Sequence, residues 1–440
     1  MELQRSIEKD LLAWKTSNPR KPLILKGARQ TGKTFSLNVF GKGYFSRVHH
    51  LNFQKNKELR SIFDGSLDPE RLIESIEFVL DCSIDQVADL LFLDEIQDCP
   101  AAITSLKYFH EDMSHMAICA AGSLLGVTQP EVPFPVGQVT FLTMRPLSFE
   151  EFLLAIGEKR TYSALRATRP PGPLAAVVHH HALSLLNEYF VTGGMPEVVA
   201  SYALHRTDKH RALAQVRHIQ NDLITASMGD FSKYSGKVDA TVIASLFESI
   251  PAQLARENKK FKTSSVMPGG RFSRLQSSID WLVAAGLAIR VKMTNSGELP
   301  FAAFTKENAF KLYLYDIGIL GALAGLSPRV LMTASEPFAT FKGAFCENFV
   351  AQEFLYSGVD SLYSWSSNKA EVEFLREVEG EVFPVEVKAG LSGKLKSLKV
   401  FQQKYRCKNR VRISARNLEI NHQANMHSYP LYLAHRFPLK

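Results

Sequence analysis

Gly27-Ala28-Arg29-Gln30-Thr31-Gly32-Lys33-Thr34 is the most informative run in this chain of 440 residues. It fits G-x-x-x-x-G-K-[ST] and lies between an apolar run at 22–25 and a helical pattern at 35–40, the context in which this motif binds phosphate. The glycines let backbone N–H groups face phosphate oxygens at a helix N-terminus. Lys33 then neutralises the β- and γ-phosphates, and the Thr34 hydroxyl ligates Mg²⁺. The run predicts a site for ATP and Mg²⁺ formed by residues 27–34.

A second motif, Ala88-Asp89-Leu90-Leu91-Phe92-Leu93-Asp94-Glu95, is an apolar strand that ends in two acids. We expect Asp94 to hold the magnesium ion and its water shell, and Glu95 to orient and polarise the attacking water. A further predicted strand, 116–121, ends at Gly122-Ser123. Ser123 is a candidate contact to the γ-phosphate or the water; the alternative is a turn or a helix cap.

Short apolar strands alternate with helical stretches through the first third of the chain, a pattern typical of a parallel sheet wrapped by helices. The predicted strands are 22–25, 49–53, 88–93, 116–121 and 138–143. Ser148-x-x-Glu151 is a capping box that predicts the start of a helix. The proline-rich segment 165–173 indicates a linker. We therefore assign residues 1–165 to a nucleotide-binding core.

Three further domains are predicted after this core. A helical pattern interrupted at Gly193 and Gly194 indicates a helical lid over 175–236. Helical stretches followed by a hairpin at Ser296-Gly297 indicate a winged-helix-like domain over 237–310, whose basic residues could contact DNA or protein. These residues are Lys259, Lys260, Lys262, Arg271 and Arg274. The last domain, 311–440, begins with a helix and continues through the predicted strands 362–365, 371–376, 382–388 and 411–414.

The charge of the chain is concentrated near its C-terminal end. Residues 386–416 hold ten Lys or Arg against one acid, Glu386, an excess of nine that is larger than the net charge of +8 of the whole chain. So local an excess favours an anionic partner, with nucleic acid first and DNA ahead of RNA. The five cysteines lie far apart, which predicts reduced thiols rather than a zinc ribbon or disulfides. A charged N-terminus and the lack of a long apolar run predict a soluble, cytoplasmic protein with no membrane partner.

Several motifs together resemble the bacterial and archaeal AAA-like ATPases whose core is followed by a C-terminal domain of restriction-endonuclease-like type. These motifs are the phosphate loop, LLFLDEIQ (90–97), AGSLLG (121–126), RPLSFEEFL (145–153), YFVTGGMPEVV (189–199), LYLYDIGIL (312–320), FKGAFCENFVAQEFL (341–355), and AEVEFL with PVEVKAG (370–390). The resemblance implies an α/β protein with an AAA-like parallel-sheet core that hydrolyses ATP and assembles into a homo-oligomer. Arg145 follows the last predicted strand of the core and is a candidate finger toward the nucleotide of a neighbouring subunit, although the family often has Arg after Gly137, where this chain has Gln138.

The C-terminal motif carries chemistry of its own. Glu386 and Lys388 lie on one face of a strand because side chains alternate with a period of two. Glu373, one strand earlier, and Glu347, on a helix, could join Glu386 around a divalent ion while Lys388 steadies the water or the phosphate. Similar nucleases usually carry Asp where this chain has Glu373, and Glu371 is an alternative ligand. The competing interpretation is a fold that does not cleave, in which Glu386 and Lys388 form a strand pair.

Two hypotheses follow from these residues. In the first, ATP hydrolysis moves or gates a DNA-directed C-terminal domain that is a candidate metal-dependent nuclease, with Lys394–Arg410 as a phosphate-tracking basic helix. In the second, the chain is a nucleotide switch whose C-terminal domain only binds nucleic acid or protein.

Overall fold

The computed structural model describes residues 2–123, 137–234, 238–267, 269, 271–333, 339–367, 370–391, 393 and 395–439. The first part of the chain forms a parallel sheet of five strands in the order β2-β3-β4-β1-β5. These strands are β1 (Leu23–Lys26), β2 (Val48–Asn52), β3 (Leu90–Asp94), β4 (Ala117–Gly122) and β5 (Thr140–Thr143). The five predicted strands are thus confirmed with shifts of one or two residues, since propensity locates element ends poorly.

Helices cover this sheet and continue beyond it. They are α1 (Ile7–Lys15), α2 (Lys33–Tyr44), α3 (Pro69–Leu80), α4 (Pro100–Asp112), α5 (Phe149–Ala155) and α6 (Lys159–Ala167). The predicted capping box is present, because Ser148 accepts from the backbone of Glu151 and the Glu151 carboxylate accepts from the backbone of Ser148. The predicted linker begins later than expected, since α6 continues to Ala167.

The segment predicted as the lid contains the helices α7 (Ala176–Thr192), α8 (Pro196–His205) and α9 (Lys209–Tyr234). The segment predicted as winged-helix-like begins with α10 (Ala240–Leu254) and α11 (Phe272–Ala284). The break after α7 is fixed by close packing. A side chain at Gly194 would stand 2.0 Å from the carbonyl oxygen of Leu147, and Asp316 accepts a hydrogen bond from the Gly194 N–H at 2.6 Å. The turn between α7 and α8 therefore packs against Leu147, which precedes α5, and against Asp316, which lies later in the chain.

A second sheet of eight strands occupies the rest of the chain, in the order β12-β13-β11-β10-β9-β8-β6-β7. Its strands are β6 (Ala288–Thr294), β7 (Thr305–Leu314), β8 (Leu362–Ser366), β9 (Glu371–Val378), β10 (Glu381–Val387), β11 (Arg410–Ser414), β12 (Glu419–Asn421) and β13 (Met426–Pro430). The helices between them are α12 (Ile317–Leu323), α13 (Pro328–Thr333), α14 (Ala339–Tyr356) and α15 (Lys396–Tyr405).

One predicted domain boundary needs correction. The boundary between residues 310 and 311 falls inside β7, and the hairpin β6–β7 pairs with β8 in the same sheet as the C-terminal strands. One hydrophobic core also includes Phe149, Tyr189, Leu275, Phe349 and Val385, which come from all parts of the chain after the first sheet. The sequence could not show this continuity, because the pairing of β6 with β8 is a contact between distant residues. The four-domain division remains a prediction.

Two broader observations complete the fold. The five cysteines are free, as predicted. Among the residues described, no helix combines the length and the apolar character that a membrane crossing requires.

Candidate functional site

The phosphate loop joins β1 to α2, as the motif predicts. A side chain at Gly27 would stand 2.1 Å from the carbonyl oxygen of Met144, and Gly32 has a φ of 94°, which favours glycine. Lys33 is the first residue of α2 and donates to the carbonyl oxygens of Gly27 at 3.0 Å and Ala28 at 2.8 Å. Burial lowers the pKa of Lys33 to about 8, although Glu95 opposes this shift. Anionic phosphates would restore its charge.

The predicted magnesium ligands meet at the carboxyl ends of β1 and β3. The Thr34 hydroxyl donates to the Asp94 carboxylate at 3.0 Å. Asn52 donates to the same carboxylate at 2.8 Å, and His50 Nε2 lies 3.1 Å from it. A hydroxyl beside a buried carboxylate is the oxygen donor set that suits Mg²⁺. The residues present therefore fit the ion, with Thr34 and Asp94 as its holders.

The two candidate hydrolytic residues lie next to this pair. Glu95 follows β3 directly with a left-handed backbone, φ 51°, and its carboxylate accepts from Gln97 at 2.5 Å. Ser123 follows β4, the strand that separates β1 from β3. Its hydroxyl is buried and has no hydrogen-bond partner within the part of the chain that the structure describes. A buried hydroxyl without a partner points to a ligand rather than to a helix cap, the alternative reading of the sequence.

A small apolar cavity of about 220 Å³ opens beside the loop. Its walls include Leu3, Phe35, Pro196 and Ala200, with Gly32 of the loop at one side. The Phe35 side chain is 52% exposed although it is a large apolar group. A largely apolar cavity next to a phosphate-binding loop suits a nucleobase.

The loop also contacts the segments that follow the first sheet. Arg29 forms an ion pair of 2.8 Å with Asp230 near the end of α9. A side chain at Gly286, in the turn between α11 and β6, would stand 3.3 Å from the Ala28 nitrogen. Because this turn leads directly into β6 of the eight-stranded sheet, the nucleotide-binding loop adjoins both α9 and the turn that precedes the second sheet's first strand.

In the second sheet, lysines surround the predicted carboxylates. Lys388 lies 2.7 Å from the Glu386 carboxylate and 3.8 Å from that of Glu373. Lys259, from the loop after α10, forms a close ion pair with Glu347, and Lys311 forms one with Glu371. The sequence predicted that the acids and Lys388 would converge. It did not predict Lys259 and Lys311, since both lie far away in the chain.

The pKa values in this cluster follow from burial and from these neighbours. Burial raises the pKa of Glu373 to about 8, and Glu347 acts in the same direction while Lys388 opposes it. Burial would also raise the pKa of Glu347, but Lys259 and Lys311 more than offset it, so that this pKa is lowered. Tyr313 also donates to Glu347 at 2.9 Å.

This arrangement does not fit a divalent ion as it stands. Across the described ranges, no three Asp, Glu, His or Cys side chains come together in an arrangement suited to a metal. The proposed ligand Glu347 is paired with Lys259, which replaces the charge that a cation would supply. One oxygen each of Glu373 and Glu386 is buried without a hydrogen-bond partner. The predicted metal set of Glu347, Glu373 and Glu386 is therefore not assembled, and Glu371 is engaged with Lys311.

The predicted basic helix is shorter than expected, since α15 spans Lys396–Tyr405, and Lys394 lies outside the described residues. A basic groove of about 270 Å³ lies beside it on the sheet. Its charged lining residues are Lys399, Arg410, Arg412, Arg416 and Glu419. Arg412 pairs in register with Glu386. The sequence predicted this concentration of positive charge but assigned it to the helix. Only the structure shows that the arginines of β11 line the same groove.

Comparisons with known proteins agree on the first part of the chain. A family model described as an AAA domain matches residues 19–153. Two models described as domains of unknown function match residues 183–330 and 342–432. No curated protein matches the chain.

Two solved structures show distant similarity. The ORC1 protein of Aeropyrum pernix, in complex with DNA, is 13% identical with a TM-score of 0.34, covering 74% of this chain and 93% of that chain. The RuvB Holliday junction branch migration motor of Thermotoga maritima is 13% identical with a TM-score of 0.31, covering 66% of this chain and 90% of that chain. TM-scores this low support no conclusion about function, which must be inferred from the chain's own residues. The N-terminal part is an AAA-type P-loop ATPase domain, a class that implies ATP binding, usually with Mg²⁺.

Proposed function

We propose that this protein is an ATPase whose nucleotide state controls nucleic-acid binding by the eight-stranded sheet. The observation that carries the proposal is the contact of the phosphate loop with α9 and with the turn before β6. A change in the loop on ATP binding or hydrolysis would reach the sheet that carries Glu386 and Arg412 through this turn.

ATP hydrolysis is assigned to the residues at the edge of the first sheet. Residues 27–34 hold the phosphates, and Lys33 neutralises their charge. Thr34 and Asp94 would hold Mg²⁺, which when bound would supply charge stabilisation to the transferred phosphoryl group. Glu95 orients and polarises the attacking water, and Ser123 contacts the γ-phosphate or this water. The base lies against Phe35 and Pro196.

Nucleic-acid binding is assigned to the basic groove beside α15. Within its described lining, four cations face one acid, Glu419. The Arg412 Nε is buried without a hydrogen-bond partner among the described residues, so the chain itself does not satisfy this donor. Guanidinium groups are suited to phosphate because they donate two parallel hydrogen bonds. DNA is the first candidate, as the charge of the sequence suggests.

The experiment that tests this assignment replaces Arg412 and Lys399 with Gln and measures DNA binding over a range of salt concentrations. The salt slope should decrease by about one unit for each lost phosphate contact. Arg47→Gln, an exposed arginine on the first domain, is the matched control and should keep the wild-type slope. An unchanged slope in the double variant would remove the groove from the proposal.

A second candidate is the nuclease, although its predicted metal set is not assembled, because Glu347 is paired with Lys259. It is supported by the convergence of Glu373, Glu386 and Lys388 and by the two carboxylate oxygens without partners. Incubation of plasmid and linear DNA with Mn²⁺, with and without ATP, tests it directly. Cleavage that is lost in both Glu386→Gln and Lys388→Ala would establish it, and intact DNA in all conditions would leave binding as the function of this sheet.

Two further features of the proposal concern assembly. The resemblance implies a homo-oligomer, which mass photometry with and without ATP would test. Arg145 lines a cavity formed by its own chain, and this position gives no support to its predicted role as a finger toward a neighbouring subunit.

A further inference from the structure

A cavity of about 360 Å³ lies between the first sheet and the eight-stranded sheet. Its lining comes from the ends of β1 and β5, the segment from the end of α11 into β6, the C-terminal part of α14 and the residues after it, Tyr315 after β7, and the start of β8. It shares no lining residue with the apolar cavity beside Phe35. Lys33, Thr34, Asp94 and Glu95 do not line it, and it adjoins the predicted nucleotide site only through Gly27 and Ala28. Its volume lies in the range of small-molecule sites.

The lining has a positive charge that the protein itself does not balance. Lys26, Arg145 and Arg290 face Asp360, which is exposed. Arg290 already pairs with Asp280 at 2.5 Å. The Arg145 guanidinium makes no hydrogen bond or ion pair to any described residue, while its backbone oxygen accepts from Arg5. Burial lowers the pKa of Arg145, and Tyr356 and Asp360 oppose this shift. A partly buried cation that makes no hydrogen bond or ion pair is stabilised when an anion joins it.

Much of the remaining lining is apolar. It includes Val283, Ile289, Leu355 and Leu362, together with Tyr315. The Tyr315 hydroxyl also has no hydrogen-bond partner among the residues described, whereas the Tyr315 backbone oxygen accepts from Gln352. A ligand that matches this lining has an apolar body and one strongly anionic end.

We propose that this cavity binds a small phosphomonoester with an apolar organic group, its phosphate on Arg145 and its apolar part against Ile289 and Leu355. Phosphate is favoured over carboxylate because its second negative charge matches more than one cation, and guanidinium binds it through two hydrogen bonds. The ligand would touch Gly27 and Ala28, the first residues of the phosphate loop, and the turn before β6. It would therefore lie where the ATPase core meets the eight-stranded sheet.

The test uses 1-naphthyl phosphate, a fluorescent phosphomonoester that is not a nucleotide, with the full chain carrying Lys33→Ala so that the phosphate loop has lost its cation. We expect saturable binding, which Arg145→Gln weakens at least tenfold. Arg160→Gln, an exposed arginine on α6, is the matched control and should leave binding unchanged. The uncharged 1-naphthol should bind equally weakly to the two variants.

A second variant protects the test against loss of folding. Ala284→Phe narrows the cavity from its exposed edge without a change of charge, and it should also abolish binding while the wild-type denaturation midpoint is kept. Competition by inorganic phosphate would assign the affinity to the anionic end. Absence of saturable binding, or equal binding by Arg145→Gln and Arg160→Gln, would overturn the proposal and leave the cavity as a gap between two parts of the chain.

Discussion

The two carboxylate sites of this protein differ in whether lysines of the same chain pair with their acids. At the carboxyl ends of the first sheet's strands, the described groups within hydrogen-bond distance of the Asp94 carboxylate are Thr34, Asn52, His50 and the backbone N–H of Glu95, and no described lysine or arginine forms an ion pair with it. In the eight-stranded sheet, Glu347, Glu371 and Glu386 each meet a lysine of the same chain. In the first site a bound cation could neutralise the negative charge, whereas in the second site lysines of the same chain neutralise the acids. Similar acids in a similar position on a strand thus indicate different chemistry.

The largest expected effect concerns the nucleotide site that contains Asp94 and Glu95. Glu95→Gln should lower ATP turnover by roughly 100- to 1000-fold, because a neutral amide can no longer polarise the attacking water. ATP binding should remain, since Lys33 and the loop are untouched. Steady-state phosphate release and calorimetry with ATP separate these two quantities. Turnover at the wild-type rate would remove Glu95 from its assigned role and weaken the contrast between the sites.

The next effect concerns the junction between the two regions. His435 is buried between Glu150 of α5, at 3.1 Å, and Glu353 of α14, at 3.2 Å. Burial alone would lower its pKa, but the two carboxylates more than offset this and raise the pKa to about 9. Protonated His435 therefore stabilises the folded state fully below pH 6.5, and this stabilisation is lost as the pH rises through 9. The effect on the free energy of unfolding is on the order of 3 kcal/mol.

Urea denaturation of the wild type and of His435→Gln at pH 6 and pH 9.5 would measure this effect. The wild type should be the more stable at pH 6, and the difference should shrink at pH 9.5. The exposed His218 provides a control, since His218→Gln should follow the wild type at both pH values. A pH-independent difference would show that His435 is not protonated in the folded state.

A smaller effect is expected on metal binding by the lysine-paired acids of the second site. Lys259→Met removes the cation that pairs with Glu347, and it should raise the affinity for Mn²⁺ at least tenfold in the absence of nucleotide. Lys260→Met, the exposed neighbour, should bind Mn²⁺ as weakly as the wild type. Electron paramagnetic resonance of free Mn²⁺ measures both. Equal affinity in the two variants would mean that lysine compensation does not keep the ion out.

The contrast also explains what the sequence could predict. The phosphate loop, Asp94 and Glu95 follow from local motifs, because each lies within a few residues of the strand that positions it. The five strands of the first sheet follow from alternating apolar runs for the same reason. Lys259, Lys311 and the continuity of β6 with β8 could not be predicted, since they depend on contacts between distant segments. Asn52 and His50 could have been found, because they end the strand that neighbours β3 at the same edge.

The control of nucleic-acid binding by ATP is tested most directly by the affinity of the full-length Glu95→Gln chain for fluorescent DNA, with and without Mg²⁺ and ATP. This variant keeps ATP without hydrolysing it, so one nucleotide state persists through the measurement. We expect ATP to change the dissociation constant about fivefold, a coupling within the usual range for two linked sites. The same addition should have no effect on Lys33→Ala. An identical dissociation constant for Glu95→Gln with and without ATP, while calorimetry shows ATP bound, would contradict the account.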